Sequence, residues 1–174
     1  MFVNGIAFLV TISRHIKFGT AEMLKNQKSS TIFVALKHVL DTYKTKGFTV
    51  HTVLGDGQFA SLQNGLASVG VVLNVTSREE HVPEIERHIR TIKERTRAQY
   101  ATLPFKALPP RLVIEMVYAS VFWLNAFPVS SGISKTVSPR KFVTGGNIDY
   151  KKHCCLEFGS YVQTHESHDN SMLP

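Results

Sequence analysis

Apolar residues alternate with polar ones in some stretches of this chain and recur at helical spacing in others, and the order of these stretches predicts a mixed α/β fold. Residues 6–13 and 18–24 read as strands joined through Arg14-His15-Ile16-Lys17. Ahead of them, Asn4-Gly5 between apolar residues is a strong signal for a two-residue hairpin turn. The strand after that turn needs an antiparallel partner, and only Met1, Phe2 and Val3 remain to supply it. The chain is therefore expected to begin inside its first strand. Ile32, Ala35, Leu36, Val39, Leu40 and Tyr43 then share one helical face, with Ser29-Ser30-Thr31 offering an N-cap and Lys46-Gly47 a stop. A strand over 48–56, a short helix around 61–68 and a buried strand over 71–75 follow.

Pro83 suits the first turn of a long helix running to about residue 103, with Ile85, Ile89, Ile92 and Thr96 as its inner stripe. A second helix over about 108–127 carries Val113, Met116, Val117, Ser120, Val121, Trp123 and Leu124 and reads as mostly buried. Beyond Pro128 the chain becomes loop-rich, with a last strand expected over 156–164 and a loose polar end. No internal repeat is visible. An antiparallel pair followed by alternating helix and strand implies a mixed sheet covered by helices.

Two acidic positions stand out in this scheme. Asp56 ends a strand that pairs in parallel, where α/β sheets place their sites. Glu86 lies in the first turn of the long helix. Carboxylates converging from a strand end and a helix start can hold divalent metal over a phosphodiester. Taken singly, each has an ordinary reading: an Asp-Gly turn after a strand for Asp56, and a first-turn Glu paired with Arg90 for Glu86. Glu86, Arg90, Lys93 and Arg97 share one face of the helix. That stripe is either a solvated charged face or a row of cations reaching nucleic-acid phosphates beside a metal-binding acid.

Composition narrows the classes. The chain has 174 residues, 43% hydrophobic and 19% charged, which is globular rather than disordered or membrane-spanning. A net charge of +7 and a pI near 9.5 favour a polyanionic partner. Cys154-Cys155, adjacent, cannot frame a disulfide scaffold, which fits a reducing compartment, and His153 beside them has no second pair at zinc-ligand spacing. The apolar N-terminus has no Lys or Arg ahead of it and no small-residue cleavage site, unlike a signal peptide. Asn74-Val75-Thr76 is a formal glycosylation sequon without meaning for an intracellular protein.

The run His81-Val82-Pro83-Glu84-Ile85-Glu86-Arg87-His88-Ile89-Arg90-Thr91-Ile92-Lys93-Glu94-Arg95 resembles the Glu-Arg helix of retroviral-type integrases, in the form found in copia-type retrotransposons. Leu54-Gly55-Asp56-Gly57-Gln58-Phe59 is similar to that family's second-aspartate motif. Ser138-Pro139-Arg140-Lys141-Phe142-Val143-Thr144-Gly145, followed by Leu156-Glu157-Phe158-Gly159, resembles the segment after the catalytic core. The resemblance covers nearly the whole chain. It implies a three-layer RNase H-like fold with a mixed five-stranded sheet flanked by helices, the first strand truncated here. It implies an Asp-Asp-Glu triad holding Mg²⁺ or Mn²⁺, two metals in intact relatives, for processing and joining DNA ends. Asp56 and Glu86 then become the second and third catalytic, metal-binding acids, and Arg87, Arg90, Lys93 and Arg97 the DNA-binding positions. Glu84, two residues away, points elsewhere.

This sequence also departs from the family. The triad's first aspartate belongs on the first strand, upstream of Asn4-Gly5. Thirty positions separate Asp56 from Glu86, somewhat tighter than usual, Gln58 replaces a more usual acid, and the family's N-terminal zinc module is absent. The resulting expectation is a fragment of a retrotransposon integrase. Residues 1–128 form a core truncated at its N-terminus, and 129–174 a post-core segment with a short helix and a strand. DNA, both element ends and target, is its partner, together with a homo-oligomer and no membrane, inside the cell and in the nucleus when functional. The other readings are a DNA-binding remnant without catalysis and an RNase H-like nuclease.

Overall fold

Asn4 and Gly5 both take positive φ, 46° and 77°, the pair of left-handed conformations that a tight two-residue hairpin demands. The computed structural model describes residues 1–75, 83–105 and 107–162. In it the turn joins β1 (Phe2–Val3) to β2 (Ile6–Ile12), with Phe2 opposite Ala7 and Val3 opposite Ile6. A second hairpin pairs β2 with β3 (Gly19–Leu24), antiparallel from Ala7 opposite Leu24 to Ile12 opposite Gly19.

Helix α1 (Ser29–Lys44) starts earlier than Ser29-Ser30-Thr31 as a cap would place it. Lys28 is the N-cap residue and makes no side-chain cap bond; instead Asn26 Oδ1 accepts from Lys28 N and from the Thr31 hydroxyl. Gly47, at φ 80°, follows its end. β4 (Thr52–Gly55) is shorter than the strand expected over 48–56, because Phe48 and Val50 turn inward onto Phe18, Val39 and Tyr43 instead. A 3₁₀ segment (Gly57–Leu62) and α2 (Gln63–Ser68) lead to β5 (Val72–Val75), which pairs with β4 in parallel, Gly55 opposite Val75. α3 (Pro83–Thr102) and α4 (Pro110–Ala126) follow, then the short helices α5 (Pro139–Thr144) and α6 (Tyr150–His153).

Alternation along β2 divides the interior. Leu9 joins Leu24, Leu36, Leu62, Leu66 and Leu73, so one core unites both sheets with α1 and α2. Phe8 points the other way, into a cluster with Ala21, Ile92, Val117 and Val121 that holds α3 and α4 against the opposite face. Ile92 and Val117 are fully buried there. The result is helix, sheet, helix, a three-layer arrangement.

Among the described residues, the strands of the expected five-stranded sheet pair as a sheet of three and a sheet of two. β1 supplies only two residues, and both pair with β2. In the described part of the chain beyond residue 128, α5 packs on α4, and Val143, with no exposure, joins Phe18, Val39 and Tyr43. The expected strand over 156–164 is, in its described part, a turn: Ser160 N donates to Glu157 O across Gly159 at φ 85°. Positions 163–174, the motif residues His81-Val82 and the sequon's Thr76 lie outside the described residues.

Candidate functional site

The residue after β4 is Asp56, and the chain turns there because Asp56 caps the 3₁₀ segment. Its Oδ1 accepts from Gly57 N at 2.6 Å, and Phe59 N donates to its backbone oxygen. Gly55, just before it, is buried, and a Cβ there would press on Phe59 and Leu73 at 3.3 and 3.4 Å. Asp56 itself is exposed, and its Oδ2 makes none of these contacts.

Glu86 occupies the first turn of α3 and is exposed. Carboxylates suit this end of a helix, where unpaired backbone N–H groups gather. Arg87, Arg90 and Arg97 are exposed and Lys93 is half-buried. The inner stripe buries Ile92 and Thr96, while Ile85 and Ile89 stay half-buried.

Three contacts that sequence reasoning missed fix how α3 is seated. Glu84 pairs with Lys17, which stands at φ 63° in the β2–β3 turn. His88 packs its ring against Gly19, and its buried Nε2 has no hydrogen-bond partner among the described residues. Burial pushes the His88 imidazole below its ordinary value, and the Glu84 carboxylate pulls the other way. Gly19 in turn exchanges two bonds with Asn125 of α4. Further along, the Thr96 hydroxyl donates to Ile92 O and meets the Ser120 hydroxyl at 3.1 Å, which ties α3 to α4 through a buried polar link.

Mg²⁺ and Mn²⁺ take hard oxygen ligands, and Asp56 and Glu86 supply that chemistry. Among the described residues, no three His, Cys, Asp or Glu side chains gather at metal-ligand spacing. Cys154 and Cys155 are free and exposed. Among the same residues, no helix is long and apolar enough to cross a membrane.

The fold resembles that of retroviral integrases of known structure. The catalytic core domain of BIV integrase matches with a TM-score of 0.59, over 82% of this chain and 88% of that one, at 14% identity. The simian T-cell lymphotropic virus intasome, in complex with PP2A regulatory subunit B56 gamma, matches with a TM-score of 0.59, over 79% of this chain and 51% of that one, at 13% identity. At such identities the likeness is one of fold. No protein-family model matches the sequence, and no curated protein does.

Proposed function

We propose that this chain is the integrase core of a copia-type retrotransposon and that it binds DNA along α3. The observation that carries the reading is one of position: in an integrase-like fold, Asp56 directly follows β4 and Glu86 opens α3, with Arg87, Arg90, Lys93 and Arg97 beyond it on the same helix. The two sheets form an interrupted version of one five-stranded RNase H-like sheet. In support, Leu9 and Leu24 of the first sheet and Leu73 of the second share a single core. Residues 1–128 carry the core, and 129–174 form a post-core segment, whose described part docks on the core through Val143.

Asp56 and Glu86 would hold Mg²⁺ or Mn²⁺, and that ion, when bound, activates the attacking oxygen and offsets charge on the phosphate. The chain's own part is positioning. Asp56 keeps Oδ1 on Gly57 N, and its exposed carboxylate would supply Oδ2 to the ion. The α3 cations hold the DNA backbone, and seating α3 against β3 fixes where those cations stand. The partners are element-end and target DNA, with self-association of the core, inside the cell and in the nucleus when functional.

The test is duplex-DNA affinity measured by fluorescence anisotropy across salt concentrations. Arg90→Gln with Lys93→Gln should weaken binding similarly for unrelated sequences and lower the salt slope by about one unit per lost phosphate contact. An unchanged slope removes α3 from the DNA path. A reduced slope with no response to Mg²⁺ or Mn²⁺ would instead favour a DNA-binding remnant without catalysis.

A further inference from the structure

The basic stripe of α3 is not uniform along its length. Lys93 and Arg97, together with Tyr100, line a half-open cavity of about 460 Å³ between β1, α3 and α4. Its deep side is hydrocarbon: Val113 and Met116 are each only 2% exposed, with Val3 and Leu108 beside them. Phe2 and Tyr100, 50% and 42% exposed, put aromatic surface at the opening. Among the described residues no Asp or Glu lines the cavity.

These features fix the chemistry of an occupant. Of the polar residues that line it, Asn4 stands in the β1–β2 turn, and the Thr96 hydroxyl is already committed to Ile92 O and Ser120. A ligand body carrying many polar atoms would lose its water there and find no replacement bonds. That disfavours a nucleobase and favours an aryl or branched alkyl group. Lys93 and Arg97 put two cations at the wall, with no Asp or Glu in the lining among the described residues, and they favour an anionic head on that body. The volume falls within the roughly 300–1,000 Å³ of small-molecule sites, which are mostly apolar with a few placed polar groups.

We infer that the cavity between β1, α3 and α4 binds a small organic anion, with an apolar or aromatic body against Val113 and Met116 and a carboxylate at Lys93 and Arg97. Occupancy would draw these two cations away from a DNA backbone, so the ligand and DNA would compete for this half of α3. The pocket itself does not depend on the DNA reading, because its probe reports on the cavity alone.

A matched pair of probes tests it: naphthalene-2-carboxylate and its neutral amide, titrated into the full chain at low salt and followed by calorimetry and by amide NMR shifts. The acid should saturate one site and bind about tenfold more tightly than the amide, the scale of one charge-assisted hydrogen bond. Lys93→Gln with Arg97→Gln should bring the acid down to the level of the amide and leave the amide unchanged. Tyr100→Ala should weaken both probes alike. Lys37→Gln with Lys44→Gln, which removes the same charge from the exposed face of α1, should change neither. No saturation, equal affinity for acid and amide, or an equal loss from the α1 pair would each overturn the inference.

Discussion

Asn125 closes both backbone hydrogen bonds of Gly19: Gly19 N donates to its Oδ1 at 2.8 Å, and its Nδ2 donates to Gly19 O at 2.7 Å. The side chain thereby acts as the missing neighbour of an edge strand. Asn125 is 5% exposed, so neither group has ready access to water as a substitute. Asn125→Ala orphans a buried N–H and a buried C=O together, each worth about 1–3 kcal/mol, and should destabilise the chain by about 2–4 kcal/mol. Asn125→Asp keeps the acceptor, loses the donor and buries a charge, so it should rescue nothing. Urea midpoints with unchanged m-values check both.

A second constraint meets at the same glycine. A Cβ on Gly19 would collide with the His88 ring, reaching Cε1 at 2.6 Å as well as Nε2. Gly19 has no positive φ, so the cost of Gly19→Ala is one of space and not of backbone strain. It should destabilise by about 1–3 kcal/mol, as overpacking does. Gly19→Ala with His88→Ala should cost less than the two single changes added together, since the second removes what the first strikes. Strict additivity in a double-mutant cycle would show that the ring does not press on β3.

How much of this was legible in the sequence depended on range. Asn4-Gly5 announced its turn because the φ requirement is local, and Ile92 and Thr96 announced a buried face because helical period is local too. Asp56 and Glu86 could be singled out by the elements they end and begin. Gly19, His88 and Asn125 could not. Their contacts join residues far apart in the chain, and a lone Asn near a helix end or a Gly opening a strand carries no periodic signal. The strand expected over 156–164 failed for another reason. Apolar residues there alternate locally, but Gly159 at φ 85° turns the chain away from extended backbone.

His88 should also make stability depend on pH in a defined direction. Its pKa lies below the ordinary 6.5 because burial penalises the charged ring more than Glu84 favours it, and Glu84 is itself paired with Lys17. The unfolded chain therefore binds more protons than the folded one just below that value. The contribution is fully present above about pH 6.5 and is lost as pH falls through the lower folded value. His88→Leu removes the titrating ring and should flatten the urea midpoint between about pH 5 and pH 7 relative to the parent. A parent slope that survives the substitution would move the effect to another group.

Asp56 and Glu86 make the most demanding prediction, because it concerns their relation and not their separate places. If both ligate one ion, Mn²⁺ at substoichiometric ratio should broaden the amide signals of Gly57 and Arg87 together, and Mg²⁺ in excess should reverse it. Asp56→Asn tests this cleanly. Asn keeps a side-chain oxygen for Gly57 N and is a good N-cap, so the turn survives while the charge that attracts the ion is gone. Glu86→Gln does the same for the first turn of α3. Each change alone should abolish broadening at both signals, because an ion held by two carboxylates and water loses half its protein ligands with either one. Broadening at Gly57 that persists in Glu86→Gln, or at Arg87 in Asp56→Asn, would mean two unrelated surface acids. The integrase reading would then keep its fold but lose its site.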